Sequence, residues 1–194
     1  MLYNSFYRNG GQNMKAAILL ENGFESTEAL TTHDVLLRSK TIETDLISAS
    51  NLDKVESSNG LTIIPDKKMK DIDILDYDFI VLPGGKKGVI NLKANPEVKK
   101  AIAEFKDRGK HVYAICAAPS ILGEMGYLDG KEYVCFPGFE VGKGKCLQKG
   151  AHRDGDLITG HSMAFTFDFA IEILRFELGE EIAKEVYDGA RGHI

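Results

Sequence analysis

The sequence predicts an α/β domain in which a mainly parallel central sheet is covered by helices on both faces. Short, strongly apolar runs recur along the chain, and most are followed by a stretch with apolar residues at helical spacing. Strands that are apolar without alternation are buried on both sides, and parallel neighbours need right-handed crossovers, so helices must occupy both faces. The chain has 194 residues, room for one domain. A domain of that size buries roughly 70% of its unfolded surface without help from metal or disulfide.

Taken in order, "KAAILL" (15–20) reads as a buried strand ending at the loop "ENGFES". "STEALTTHDVLLRSK" places Leu30, Val35, Leu36 and Leu37 at helical spacing, with Ser26 or Thr27 as the cap. "ETDLISAS" and "LTIIPD" read as two further strands around the turn-rich "ESSNG". "YDFIVLP" is a second buried strand, stopped by the loop "PGGKKG". In "NPEVKKAIAEFKDRGK", Pro96 stands at a helix start and Gly109 just past its end. "HVYAI" is a third buried strand, and "APSILGEMG" opens a helix that Gly126 closes. Residues 131–155 read as loops with one or two strands. "GDLITG" is the last strand, followed by the helices "FTFDFAIEILRFEL" and "EEIAKEVYDG".

The bulk properties exclude several functions. A net charge of -5 gives no electrostatic reason to expect nucleic acid or anionic lipid as partner. The pairs Lys86–Lys87 and Lys99–Lys100 read as solvated surface. No run of about 18 apolar residues is present for a membrane span. Residues 1–13, "MLYNSFYRNGGQN", lack the apolar stretch of a signal peptide and read as a loosely held tail, with residues 14–194 as the single domain. Three cysteines, Cys116, Cys135 and Cys146, have no paired spacing and fit no metal pattern, which suits reduced thiols in the cytoplasm.

In a doubly wound sheet the ligand crevice lies beyond the carboxyl ends of the strands. That brings "ENGFESTE", "PGGKKG" and "CAAPS" to one edge. In "AICAA", Ala114 and Ala118 leave Cys116 the small neighbours that a sharp strand-to-helix turn requires. Nearby free N–H groups and the positive end of a helix dipole would lower the thiol pKa. The alternative is a buried cysteine packing as a small hydrophobe. Gly84 and Gly85 let backbone approach a ligand and donate to an oxyanion, or merely build a tight turn. Glu21, Glu25 and Glu28 either favour a first helical turn or supply one carboxyl that keeps its proton beside the thiol.

These motifs, in this order, resemble the ThiJ/PfpI superfamily and, within it, the branch around the parkinsonism-associated deglycase, the DJ-one branch. The resemblance runs from Met14 to about Tyr187. "AAILLENGFESTEA" resembles the family's opening strand and Gly-x-Glu-x-x-Glu loop, "YDFIVLPGG" its central strand and turn, "AICAAPSIL" its nucleophile elbow and "FTFDFAIEIL" its late helix. It implies a flavodoxin-like three-layer sandwich and a homodimer. It also implies Cys116 as the reactive cysteine, Glu28 as the acid bonded to it, and Gly85 and Ala117 as the backbone amides around the sulfur.

The implied activity is that of a glutathione-independent glyoxalase or deglycase on methylglyoxal, glyoxal or their adducts, without a cofactor. The non-enzymatic alternative is a redox sensor or chaperone signalling through oxidation of Cys116. The chain departs from the family pattern in several places. Phe136 occupies the place of a histidine near the cysteine, and Ala117 replaces the histidine of the protease-like branch. Asn59 stands where an arginine shapes an anion site, whereas Arg38 fits a second arginine. "GHSMAF" replaces a late Gly-Pro motif and brings His161 toward the pocket, whose further candidates are Gly84, Glu25 and Phe136. A glutaminase would need a histidine beside the cysteine, and His161 is the one available. His33, His111, His152 and His193 read as structural or solvated. Cys135 reads as the better candidate for secondary oxidation.

Overall fold

The computed structural model describes residues 13–192; the expectations for residues 1–12 and for His193 lie outside the described residues. In chain order the elements are β1 (Met14–Leu20), α1 (Ser26–Arg38), β2 (Ile42–Ser48), β3 (Val55–Glu56), β4 (Thr62–Ile63), β5 (Lys67–Lys68) and β6 (Phe79–Leu82). There follow α2 (Lys86–Ala94), α3 (Pro96–Asp107), β7 (His111–Ile115), α4 (Pro119–Glu124), β8 (Glu132–Tyr133), β9 (Lys145–Cys146), β10 (Ala151–Asp154), β11 (Leu157–Gly160), α5 (Thr166–Leu178) and α6 (Glu180–Ala190).

Seven strands form the main sheet in the order β10-β11-β7-β6-β1-β2-β5. All neighbours are parallel except β10, which runs antiparallel to β11. The period of two along each central strand sorts its side chains onto the two faces. Ala17, Leu19, Ile80, Leu82, Val112 and Ala114 face a core shared with Val89, Ile102, Phe105 and Ile121 of α2, α3 and α4. Ala16, Ile18, Leu20, Phe79, Val81 and Tyr113 face the other core, under Leu36, Phe169 and Val186 of α1, α5 and α6. Burial on both faces explains why these strands read as continuous apolar runs. The architecture is the three-layer, flavodoxin-like sandwich.

Three details differ from the sequence reading. "LTIIPD" contributes only β4, which pairs antiparallel with β3 in a ribbon outside the main sheet. Pro65 lacks the N–H needed to extend it, and Ile64 is 75% exposed. The edge strand is instead Lys67–Lys68. The loop "PGGKKG" is shorter than expected because α2 begins at Lys86, with Gly85 as its N-cap. Gly88 reads as a helix breaker, yet a Cβ there would stand 2.8 Å from the Phe24 backbone nitrogen, so the helix needs glycine to lie against the loop after β1. The cap of α1 is neither Ser26 nor Thr27. Glu25 takes that role, its Oε2 accepting the Glu28 N–H at 2.7 Å. At α3 the expected Pro96 start holds, with Asn95 capping Glu97 N–H at 3.0 Å. Residues 131–155 hold three short strands, β8, β9 and β10.

Candidate active site

β6 lies between β1 and β7, so the loops after these three strands meet at one sheet edge. At the end of β7 the backbone turns sharply. Cys116 adopts a left-handed conformation, φ 63°, which non-glycine residues rarely hold and which costs about 1–3 kcal/mol. Three hydrogen bonds hold it there. Its N–H donates to Gly160 O at 2.8 Å, and its carbonyl accepts from Phe136 N–H at 2.8 Å and from the Cys135 thiol at 3.2 Å. The side chain is half-buried between the two cores.

Glu28 arrives from the first turn of α1 and is 1% exposed. Its Oε2 accepts the Gly84 N–H at 2.7 Å, and its carboxyl hydrogen-bonds the Cys116 thiol. Oε1 is buried with no geometric hydrogen-bond partner among the described residues. Gly84 separates acid and thiol so closely that a Cβ would stand 2.6 Å from both Cys116 Cβ and Glu28 Oε2. Gly85 has φ 89°, and a Cβ there would meet the Gly23 carbonyl oxygen at 2.3 Å. With the turn so tight, the N–H groups of Gly85 and Ala117 both reach the Cys116 sulfur.

The electrostatics correct one expectation. Burial pushes the Glu28 carboxyl up to about 7, the Gly84 N–H and the thiol pull it down, and the nearby Glu25 charge adds to the rise. The Cys116 thiol is not acidified. Burial raises it well above the ordinary thiol range, the Glu28 charge and hydrogen bond raise it further, and the Ala117 and Gly85 N–H groups oppose only part of that. α4 is six residues long and starts three residues after the cysteine, too short and too displaced for its dipole to compensate. Above pH 7 the resting pair is therefore a thiol donating to a carboxylate. One proton lies between two buried groups.

The other candidates scatter. The Glu25 carboxylate is spent capping α1, though its N–H donates to Gly84 O at 3.0 Å and so braces the turn. Arg38 is ten residues beyond Glu28 on the same helix, about 15 Å along its axis, and its Nε donates to Asp34 at 2.7 Å. Within this chain it lies outside the site. Phe136 is tied to Cys116 through its backbone, and its ring is 42% exposed. His161 follows β11 directly. Its ring lies 6.3 Å from that of Phe136 and 5.9 Å from that of Phe165. Cys135 adjoins the site, its thiol donating to Cys116 O, but at 2% exposure its burial argues against the secondary oxidation expected of it.

Away from the site, His33 meets Thr44 at 2.6 Å, His111 meets Glu177 at 2.7 Å and His152 lies 3.5 Å from Glu132, all structural roles. Sequence reasoning missed Gly150, which reaches His161 only through the tertiary fold, and Phe165, whose place four residues after His161 in "GHSMAF" was the available signal. No group of three or more potential metal ligands occurs among the described residues. No helix there is long and apolar enough to cross a membrane. Two clefts of about 360 and 420 Å³ are lined by other residues, the second including Gly150 and Phe165.

Comparison with known proteins agrees with this fold. The profile of the DJ-1/PfpI family matches residues 14–176. Protein DJ-1alpha of Drosophila melanogaster is 33% identical over 176 residues, covering 88% of this chain and 81% of that protein. The glutathione-independent glyoxalase DJR-1.2 of Caenorhabditis elegans is 27% identical, covering 86% of this chain and 91% of that protein. A crystal structure of a DJ-1 superfamily protein from Salmonella typhimurium superposes with a TM-score of 0.84 at 32% identity, over 92% of this chain and 97% of that one.

Proposed function

The chain belongs to the DJ-1/PfpI family, and from that premise we propose that it is a cysteine-dependent enzyme converting small α-oxoaldehydes, such as methylglyoxal and glyoxal, to 2-hydroxy acids. The single observation that carries this reading is the buried pair of Cys116 and Glu28, with the carboxyl pushed up to about 7. A general base performs best when its pKa lies near the working pH. The same first adduct, formed on a sugar-modified amine, would give a deglycase reaction. The name of the Caenorhabditis elegans relative supports the dicarbonyl as the substrate class.

The steps follow from the geometry. As the sulfur attacks the aldehyde carbon, its proton passes to the Glu28 carboxylate, which solves the problem of the raised thiol without free thiolate. The oxygen of the new hemithioacetal is held by the Gly85 and Ala117 N–H groups and takes the proton back from Glu28. Glu28 then removes the proton from the former aldehyde carbon and delivers it to the adjacent ketone carbon, while the hydroxyl proton on the former aldehyde passes to the ketone oxygen, leaving a thioester. Water cleaves the thioester, so methylglyoxal plus water gives lactate, and the thiol is restored. Every step uses groups of this chain, and a homodimer in the cytoplasm belongs to the same reading.

The test follows methylglyoxal loss and lactate formation with the wild type, Cys116→Ser and Glu28→Gln. Wild-type turnover at least a hundredfold above both variants is expected. Rates no better than the variants end the proposal.

A further inference from the structure

We infer that Cys135 is a positioning residue for Cys116: its buried thiol closes a ring of hydrogen bonds that holds the strained turn in its reactive geometry. This deepens the proposed function and rests on Cys116 as its reacting group.

The ring runs through three segments of the chain. The Cys116 N–H donates to Gly160 O at 2.8 Å. Beside Gly160 stands Thr159, whose Oγ1 accepts the Val134 N–H at 2.9 Å. From Val134 the chain passes directly to Cys135 and Phe136, and both donate to the Cys116 carbonyl, the Phe136 N–H at 2.8 Å and the Cys135 thiol at 3.2 Å. Cys116 is thus held through its N–H by β11 and through its carbonyl by the segment after β8, while Thr159 ties those two supports to each other. Thr159, Val134 and Cys135 are all buried, so water does not compete for these bonds.

The thiol has a specific place in that ring. A left-handed conformation at a residue with a side chain, φ 63° at Cys116, persists only where its surroundings over-determine it. A carbonyl oxygen has two lone pairs; the Phe136 N–H takes one, and Cys135 supplies the donor for the other. The Cys135 sulfur also faces the N–H groups of Phe136 and Ser120, so the first turn of α4 seats it. Burial, with Cys146 and Glu140 adding to it, pushes this thiol up to about 12, so it remains a donor throughout the neutral range.

The reacting sulfur has little freedom to shift. A Cβ on Gly84 would stand 3.1 Å from Cys116 Sγ and 2.6 Å from Glu28 Oε2, which shows how closely thiol and acid are set around that glycine. Relaxing the Cys116 backbone toward ordinary negative φ re-aims its Cα–Cβ bond. The sulfur then leaves Glu28 and the N–H groups of Gly85 and Ala117. Loss of one hydrogen bond shifts a population by about two- to tenfold, and that is the share of reactive geometry assigned to Cys135.

The experiment measures iodoacetamide alkylation of Cys116 near pH 8 and, separately, kcat and KM for methylglyoxal. It compares the wild type, Cys135→Val, Cys135→Ser, Thr159→Val and the double variant Cys135→Val with Thr159→Val, with urea unfolding as the check on folding. Raman spectroscopy reads the S–H stretching band of Cys135, identified by its loss in Cys135→Ser. That band should lie below the band of Cys146, whose sulfur meets the Leu147 carbonyl only at 4.0 Å. Cys135→Val should slow alkylation and lower kcat about two- to tenfold with little change in KM. Cys135→Ser, which keeps a donor, should restore both to within about twofold. The double variant should be no slower than the slower single one, because a ring opened once is open.

An unshifted Cys135 band, or a Val variant as fast as the wild type, overturns the inference. A Ser variant as slow as Val would reduce Cys135 to packing, and additive effects in the double variant would dissolve the ring. If Cys135→Val does not fold, the Raman band and the Ser variant decide. If methylglyoxal is not turned over, the enzymatic reading fails on its own, and the alkylation rates still decide the ring.

Discussion

Glu28 should make this protein lose stability as the pH rises toward neutrality, and Glu28→Gln should abolish that loss. The carboxyl is 1% exposed and is pushed up from 4.5 to about 7 by burial. The folded protein thus keeps a proton that the unfolded chain releases near 4.5. The stability tied to that proton is fully present below pH 4.5, declines between 4.5 and 7, and is gone above about 7. Each tenfold in proton affinity is worth about 1.4 kcal/mol, so a displacement of this size amounts to about 3 kcal/mol, a sizeable part of the 5–15 kcal/mol typical of a domain. Glutamine cannot titrate, and its amide oxygen can still accept the Gly84 N–H. Urea unfolding of both proteins at half-unit steps from pH 4.5 to 8 measures the difference, and stopping at 8 keeps the raised Cys116 thiol out of the window. The variant should gain about 3 kcal/mol on the wild type across that range. A difference that stays flat, or that moves with a midpoint near 4.5, would refute the claim that burial holds the proton on Glu28.

The remaining expectations concern the same few atoms. With methylglyoxal, kcat/KM should rise through about pH 7 as Glu28 becomes an available base; a pH–rate profile tests this, and Glu28→Gln should lack the limb. Gly84→Ala forces a Cβ to within 2.6 Å of Cys116 and Glu28, so a loss of about 1–3 kcal/mol in stability should accompany loss of turnover, checked by urea melts and lactate assays. Iodoacetamide labelling followed by peptide mass spectrometry should modify Cys116 and leave Cys135, 2% exposed, until the protein unfolds. The Cys116 rate should keep climbing past the ordinary thiol range near pH 8.5, and a plateau at or below that value would contradict the raised thiol.

The three buried strands were legible in the sequence because burial on both sheet faces leaves no polar alternation to confuse them. Cys116 was legible for a related reason: its small neighbours mark a turn that bulky side chains would block. Lys86–Ala94 was not legible as a helix, since Gly88 reads as a breaker until the backbone of Phe24 is seen pressed against it. The cap on α1 was misplaced because Glu25 and Ser26 are both plausible local acceptors, and the way the loop after β1 closes on Gly84 decides between them.

What the sequence determined by itself is the layered α/β architecture, the strand-terminal cysteine and the set of acids from which its partner comes. Those are local matters of hydrophobic periodicity and steric allowance. The family resemblance already singled out Glu28; only the tertiary structure decided that burial pushes its carboxyl up to about 7 and that the thiol beside it is raised rather than acidified. Each of these depends on how much water is excluded and which charges are brought within reach, and both are set by segments far apart in the chain.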